Sequence, residues 1–352
     1  MNLDYPVSNL IQVDDEAALC DALASRDQVR LIGSGSSQSL LAAPDTDVDV
    51  ISTAGMNQIL RLEADDLTCS VEPGVLRADL DAALAEHGLW LPCGGSGTIG
   101  GIFAADLHGP LAPAQHEPRS LLLGISAVLA DGTPFKSGAR VVKSVAGFDL
   151  QKLFVGSRGQ LFAASALHLK LRPRPPLTLG FEHADLSLSS AMERMLQMRQ
   201  SHVAPLQLSM TRSGASFTLT GVIGGDPSYL EAWARRLELT LLNTTSTPAP
   251  KALEPSGGEE LVQGLVQLKR LPELLERLPE DAPFALHGLR FWTCLSAARA
   301  DQLLTTLPAL GGGGTILAGP ADRRGQTSPT DPVIQRLEGE LAQTLDPGRT
   351  LR

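Results

Sequence analysis

The chain of 352 residues has a formal net charge of −10, and 43% of its residues are hydrophobic, which indicates a globular protein large enough for two domains. The absence of a basic patch and the low aromatic content of 4% argue against a nucleic-acid partner. No apolar run approaches the roughly 20 residues that span a bilayer, and the first residues show no signal-peptide pattern. We therefore expect a cytoplasmic protein without a transmembrane segment.

The four cysteines, Cys20, Cys69, Cys93 and Cys294, are scattered along the chain. None belongs to a C-x-x-C pair, and the seven histidines show no metal-ligand spacing, so we expect neither an iron–sulfur cluster nor another metal site. Free thiols in an acidic chain also fit a reducing compartment.

The first half of the chain predicts helices mixed with short strands. Apolar residues recur at helical spacing in the helices, and short apolar or alternating runs mark the strands. Helices are predicted at residues 14–26 and 75–87, and strands at 29–32, 48–52, 67–72, 121–130 and 161–171. A proline-rich stretch at 173–176 predicts a linker and a domain boundary.

Two glycine-rich loops interrupt this first half. The loop Gly33-Ser-Gly-Ser-Ser37 follows a strand directly, so its backbone N–H groups can point at an anion, although a plain tight turn is the alternative. No Gly-Lys-Ser/Thr follows it, which argues against a P-loop. The second stretch, Cys93–Pro110, has five glycines between Gly94 and Gly101.

Within the second stretch, Gly95-Ser-Gly-Thr-Ile-Gly100 spells the G-x-G-x-x-G pattern of a Rossmann fold. A Rossmann fold needs a long strand before the glycines and a long helix after them. Here the apolar run before the glycines is short, and Gly109-Pro110 ends any helix within nine residues of Gly100. Two separate loops that close on one long cofactor fit a dinucleotide held in a crevice better.

The second half predicts an antiparallel sheet with helices on one face. Two βαββ-like units follow each other, and a final helix begins near Thr330-Asp-Pro332 with Ile334 and Leu337 on its apolar stripe. Strands are predicted at 177–184, 206–210, 216–223, 261–268, 284–294 and 315–318, and helices at 187–201, from 226, and at 271–278 and 296–307.

The order of four motifs resembles the FAD-binding domain of the vanillyl-alcohol-oxidase (PCMH) type. These motifs are Ile32-Gly-Ser-Gly-Ser-Ser37, Val71-Glu-Pro-Gly74, Gly97-Thr-Ile-Gly-Gly101 and Gly109-Pro110. Three further segments are similar to the smaller FAD-binding subunit of bacterial glycolate oxidases. They are Arg119-Ser-Leu-Leu-Leu-Gly124, Val142-Lys-Ser-Val-Ala-Gly-Phe-Asp-Leu150 and Leu153-Phe-Val-Gly-Ser157.

The resemblance implies an α+β fold. Residues 1–175 would form a PCMH-type FAD-binding domain of two α/β subdomains, and residues 176–330 a ferredoxin-like antiparallel cap that shapes the substrate pocket. Residues 331–352 would be a C-terminal helix and tail that return to the FAD domain.

The resemblance also implies which residues hold FAD, with the first loop cradling the pyrophosphate and the second loop on the flavin side. The implied set is Gly33, Ser34, Gly35, Ser36, Ser37, Pro73, Gly74, Gly95, Gly97, Thr98, Ile99, Gly100, Gly101, Ala104, Ala105, Gly109, Gly159 and Leu161.

In activity, the resemblance implies oxidation of a 2-hydroxy acid, such as glycolate or D-lactate, to the 2-oxo acid. Electrons would pass from FAD to an iron–sulfur subunit beside a larger FAD subunit, and any membrane association would come through those partners. Three alternatives stay open: a non-catalytic structural subunit, a stand-alone FAD-dependent 2-hydroxy-acid dehydrogenase and, more distantly, a Rossmann NAD enzyme.

The catalytic groups are less well marked. Lys143 is a candidate anchor for the substrate carboxylate and His108 a candidate base or flavin contact, although a surface lysine and a solvated histidine are the plainer interpretations. Cys93 is expected to be a buried free thiol rather than a covalent flavin link. Phe162 replaces the glycine of the family's Gly-x-Leu-Gly motif, and we expect its ring to intrude on the cofactor, which favours the structural subunit.

Overall fold

A computed structural model describes residues 7–37, 47–107, 117–139, 148–201, 205–242, 253–320 and 322–351. Contacts divide them into two units. The first unit consists of residues 7–107, 117–174 and 331–351, and the second of residues 175–330. The chain therefore leaves the first unit after residue 174 and returns to it at residue 331.

A three-stranded parallel sheet begins the first unit. It consists of β1 (Val7–Gln12), β2 (Val29–Ile32) and β3 (Val48–Ser52) in the order β1-β3-β2, with α1 (Glu16–Ala24) between β1 and β2. Asp15 caps α1, because its side chain accepts a hydrogen bond of 2.7 Å from the Ala18 N–H. Val29 of β2 and Ile51 of β3 are buried with the apolar side chains of α1, while Ile32, Val48 and Val50 form a separate cluster.

A five-stranded antiparallel sheet forms the rest of the first unit, in the order β4-β5-β9-β7-β8. Its helices and a two-stranded ribbon, β6 with β10, pack around one apolar core. The elements are β4 (Ile59–Glu63), β5 (Thr68–Val71), α2 (Arg77–Ala85), β6 (Leu89–Trp90), α3 (Ile99–Ala104), α4 (Pro118–Leu121), β7 (Leu122–Val128), β8 (Pro134–Gly138), β9 (Ala163–Lys170) and β10 (Arg172–Pro173).

The second unit is one eight-stranded antiparallel sheet built from two halves with the same βαββαβ order. Each half places its strands in the spatial order 4-1-3-2 of a ferredoxin-like fold, and the halves join where β12 pairs with β16. The first half is β11 (Leu177–Leu186), α5 (Leu188–Gln200), β12 (Gln207–Ser213), β13 (Ser216–Gly225), α6 (Pro227–Arg236) and β14 (Thr240–Leu242). The second is β15 (Glu260–Leu265), α7 (Leu271–Arg277), β16 (Phe284–His287), β17 (Arg290–Leu295), α8 (Ala297–Thr306) and β18 (Gly313–Ala318).

Buried side chains of α5, α6, α7 and α8 share a single apolar core with this sheet. The predicted α+β class with a ferredoxin-like antiparallel sheet is confirmed. The strand predicted over 284–294 was wrong in detail, because Gly288, with φ +61°, turns the chain there and makes the hairpin β16–β17. Among the helices of the described residues, none is both long and apolar enough to cross a membrane.

The last helix, α9 (Pro332–Leu345), and the tail after it belong to the first unit. Asp346 is 4% exposed and its carboxylate accepts hydrogen bonds of 2.8 Å from the Thr350 and Leu351 N–H groups. This turn directs the tail onto β2, where the Val29 N–H donates to the Thr350 carbonyl at 2.7 Å. Of the predicted apolar stripe on α9, Ile334 and Leu337 are about half exposed, at 49% and 52%.

Candidate functional site

The two glycine-rich loops of the first unit touch each other. Gly33 lies so close to Thr98 that a Cβ at position 33 would be 2.0 Å from the Thr98 Oγ1. Gly97 has φ +95°, and a Cβ there would be 2.3 Å from the Ser36 Oγ. The close approach at Gly33 and the left-handed backbone at Gly97 therefore both depend on the missing side chain.

Short backbone hydrogen bonds fix the second loop. Thr98 caps α3 by accepting a hydrogen bond of 3.3 Å from the Gly101 N–H. The Gly100 N–H donates to the Pro73 carbonyl at 2.8 Å, and the Gly74 N–H to the Met56 carbonyl at 2.7 Å. These bonds hold the start of α3 against the turn that follows β5.

The two loops border an open cleft in the first unit. One side is polar backbone and serine, and the other is apolar with small side chains. The described lining residues are Leu31, Ile32, Gly33, Ser34, Gly35, Ser36, Ser37, Thr53, Pro73, Thr98, Gly100, Gly101, Ala104, Ala105, Phe154, Arg158, Gly159, Phe162, Ala163 and Ala164.

The polar side of the cleft is rich in free donors. Among the described residues, none accepts a hydrogen bond from the backbone N–H groups of Gly33–Ser37. Successive free N–H groups in a loop form a concavity that attracts anions. A pyrophosphate could accept hydrogen bonds from these N–H groups, and a flat ring system could pack against the alanines and phenylalanines of the lining. The residues present therefore fit a dinucleotide.

A turn at residues 156–159 completes the cleft. The Gly156 N–H donates to the Phe103 carbonyl at 3.2 Å, and the Arg158 N–H to the Ala104 carbonyl at 2.8 Å. Gly159 lies against Leu31 of β2. The turn therefore docks on the end of α3 and presents Arg158 and Gly159 to the cleft.

Phe162 does not block the cleft. Its side chain is 1% exposed, and its ring packs edge-on to Phe135 at 5.2 Å and stacks with Phe154 at 6.0 Å. Phe162 directly precedes β9, and its ring is held in the apolar core, where it forms part of the cleft floor. Its expected effect on the cofactor stays a prediction.

Twelve of the residues predicted to hold FAD line the cleft: Gly33, Ser34, Gly35, Ser36, Ser37, Pro73, Thr98, Gly100, Gly101, Ala104, Ala105 and Gly159. Gly74, Gly95, Gly97, Ile99 and Leu161 lie in the same loops but outside its lining, and Ile99 is fully buried. Gly109 and both catalytic candidates, His108 and Lys143, lie outside the described residues.

Seven lining residues escaped the sequence analysis: Leu31, Ile32, Thr53, Phe154, Arg158, Ala163 and Ala164. Most are ordinary strand residues whose place on the cleft follows from tertiary packing. Arg158 lies directly before Gly159, and of these two residues the resemblance assigns only Gly159 to FAD.

Cys93 is a buried free thiol and does not line the cleft. Burial raises its pKa to about 11, so the thiol is protonated and unreactive at neutral pH. Arg77 donates hydrogen bonds to the Cys93 carbonyl and to the Leu91 carbonyl, and pairs with Asp81 at 2.8 Å. Cys93 therefore belongs to the support of the second loop.

The second unit has its own polar cluster on the sheet. Ser209 of β12 and His287 of β16 are cross-strand neighbours, with 2.7 Å between the serine Oγ and the histidine Nδ1. The Trp292 ring lies edge-on to the imidazole at 4.8 Å. Burial lowers the pKa of His287 to about 4, so the imidazole is neutral at pH 7. Within the described residues, no group of three or more His, Cys, Asp or Glu side chains is arranged to hold a metal ion.

Comparison with known proteins agrees with this geometry. Residues 11–138 match the FAD binding domain family. The glycolate oxidase subunit GlcE of Escherichia coli is 28% identical to this chain. The match covers 98% of this chain and 95% of GlcE.

Other relatives match less than half of this chain. The glycolate oxidase subunit GlcD of Bacillus subtilis is 33% identical over 46% of this chain, and the probable mitochondrial D-lactate dehydrogenase of Danio rerio is 33% identical over 42%. This chain covers about a third of the length of each, 36% and 31%. An alkyldihydroxyacetonephosphate synthase has the same fold, with a TM-score of 0.70 and 11% identity over 97% of this chain and 75% of that one.

Proposed function

We propose that this chain is the FAD-binding subunit of a complex that oxidises a small 2-hydroxy acid, since residues 11–138 match the FAD binding domain family. The observation that carries the proposal is similarity to GlcE along almost the whole of both chains. Glycolate is the first candidate substrate and D-lactate the second, because proteins named for each are similar to part of this chain.

The first unit supplies the means to hold the cofactor. The free N–H groups of Gly33–Ser37 would bind the pyrophosphate, while Ala104, Ala105 and the buried Phe154 and Phe162 would contact its flat rings. When bound, FAD would accept the hydride that a 2-hydroxy acid loses on oxidation. The chain's own task is to orient the cofactor and exclude water from its apolar side.

A larger FAD subunit and an iron–sulfur subunit are the proposed partners. The similarity to two different glycolate oxidase subunits, GlcE over 98% of the chain and GlcD over 46% of it, supports a complex that contains two related FAD-binding chains. The iron–sulfur subunit is proposed because the electrons that reach FAD must leave it.

Anaerobic titration of the purified chain with glycolate or D-lactate tests the activity. We expect an oxidised-flavin absorbance band that substrate bleaches once the partner subunits are present. Bleaching and dye-coupled turnover by the isolated chain would instead indicate a stand-alone dehydrogenase. A chain that binds FAD but is never reduced, even within the complex, would indicate a structural subunit.

Affinity purification of the tagged chain from its native cells tests the partners. We expect a second FAD-binding chain and a protein with iron–sulfur absorbance to co-elute in fixed ratio. Elution of the flavin-loaded chain by itself would contradict the proposed complex.

A further inference from the structure

Arg158 carries the one charge among the described residues that line the cleft. Its side chain is half-buried and makes no ion pair or hydrogen bond with another described residue. Desolvation lowers the pKa of the guanidinium below its usual value, although an arginine stays protonated. A partly desolvated cation without a counter-ion is unfavourable, so the cleft offers a positive charge that an anionic ligand would neutralise.

The backbone of Arg158 is also unfavourable by itself. Its φ is +54°, in the left-handed region, and its N–H is fixed on the Ala104 carbonyl at 2.8 Å. Glycine, which already occupies positions 156 and 159 of this turn, would adopt that conformation without strain. Strained residues of this kind concentrate at ligand sites, where the side chain has a use that outweighs the strain.

We propose that the Arg158 guanidinium binds the pyrophosphate of FAD, together with the free N–H groups of Gly33–Ser37. The pyrophosphate carries the negative charge of FAD, whereas the flavin, ribityl and adenosine parts are neutral at pH 7. The charged part of the ligand thus matches the charged side chain of the cleft, and arginine is suited to phosphate oxygens because its N–H groups form a planar fork. The inference rests on FAD as the ligand of the cleft.

The substitution Arg158→Gly separates binding from stability. It removes the guanidinium and relieves the left-handed backbone, so we expect the ligand-free chain to melt at the same or a higher temperature. We expect the affinity for FAD, measured by calorimetric titration of the full-length apoprotein, to fall about 10- to 100-fold, in keeping with the loss of a charge-assisted hydrogen bond. Riboflavin lacks the pyrophosphate, and its affinity should not change.

Two further variants sharpen the test. Arg158→Lys keeps the charge and should retain part of the FAD affinity, with a salt dependence like that of the wild type. Arg61→Gln is the matched control, since Arg61 lies in the same unit, away from the cleft, with 57% of its side chain exposed. It should bind FAD as the wild type does.

Several outcomes would overturn the assignment of Arg158. Equal FAD affinity in Arg158→Gly and wild type would do so, as would a parallel loss for FAD and riboflavin, or a lower melting temperature of the ligand-free variant with unchanged affinity. A wild-type chain that binds no FAD would contradict the FAD domain itself, so the two failures can be told apart.

Discussion

At the scale of single residues, the cleft depends on contacts that leave no room for a side chain. Gly33 shows this most clearly, because a Cβ there would meet the Thr98 Oγ1 at 2.0 Å and both carbons of that side chain at 3.0 Å. Thr98 is β-branched and cannot rotate all three atoms away. Any side chain at position 33 must therefore push the two loops apart.

We expect Gly33→Ala to lower both stability and cofactor affinity. Overpacking of this kind costs about 1–3 kcal/mol of unfolding free energy, and displaced loops should weaken FAD binding at least tenfold. Urea unfolding and fluorescence titration measure the two effects. Gly339→Ala is the matched control, because a Cβ at that position of α9 meets nothing within 4 Å.

A double variant tests the contact itself. Thr98→Ala removes two of the three clashing atoms at the expense of the α3 cap, so Gly33→Ala with Thr98→Ala should be less destabilised than the sum of the single variants. Strict additivity would show that the two residues do not interact as described.

His287 makes a separate prediction for pH. Its pKa is about 4 in the fold and about 6.5 in an unfolded chain, so the unfolded state binds the extra proton first as the pH falls. Native stability should therefore be complete above pH 6.5 and decrease between pH 6.5 and 4, by a total of about 3 kcal/mol from this group.

Urea unfolding between pH 7 and 4 measures this loss. The unfolding free energy of His287→Gln should fall less steeply with decreasing pH than that of the wild type. The two slopes should differ by about 1.4 kcal/mol per pH unit between pH 6.5 and 4. His87→Gln, which removes an exposed histidine, is the control. Identical slopes in wild type and His287→Gln would rule out a buried neutral imidazole at this position.

At the scale of elements, the C-terminal tail depends on a single aspartate, Asp346, in the segment Leu345-Asp-Pro347. Asp346 turns the tail so that Leu351 is buried beside Val29 of β2. Two N–H groups depend on one buried carboxylate for this turn.

We expect Asp346→Ala to destabilise the first unit by about 3 kcal/mol, because hydrogen bonds to a charged group are strong and the two N–H groups lose their acceptor. Asp331→Ala removes only the exposed cap of α9 and should cost about 1 kcal/mol. Chemical unfolding followed by circular dichroism compares them. Equal losses would show that the tail contributes nothing beyond helix capping.

Elements were predictable from sequence where local composition dictates them. The longer helices and the buried strands showed their periodicity, and the density of glycine marked both loops, whereas the short helices α3 and α4 were not predicted. β1, β4 and β8 were missed because they are largely exposed, so their apolar pattern is weak. The hairpin at Gly288 was missed because a single glycine inside an apolar run is a faint turn signal.

The cleft was less predictable than the loops. The direction of a side chain depends on what packs against its backbone. Arg158 reaches the cleft because its turn docks on α3, and the Phe162 ring borders the cleft from within the apolar core. Neither fact is local in sequence.

At the scale of the whole molecule, ligand binding and stability should be linked. FAD at 100 times its dissociation constant should add about 2.7 kcal/mol to the stability of the state that binds it. Hydrogen exchange read by mass spectrometry should show the largest slowing in Gly33–Ser37, whose N–H groups have no described acceptor in the free chain. Unchanged exchange in this loop on addition of FAD would contradict its role.

The tail has a consequence for the order in which the protein can be made. The ribosome delivers β2 early, but the segment that covers its edge, residues 350–351, is made only after the entire second unit. Until then the parallel sheet has an open edge beside Val29, and open edges recruit other strands. The nascent first unit therefore carries both glycine loops while this edge is still exposed to aggregation.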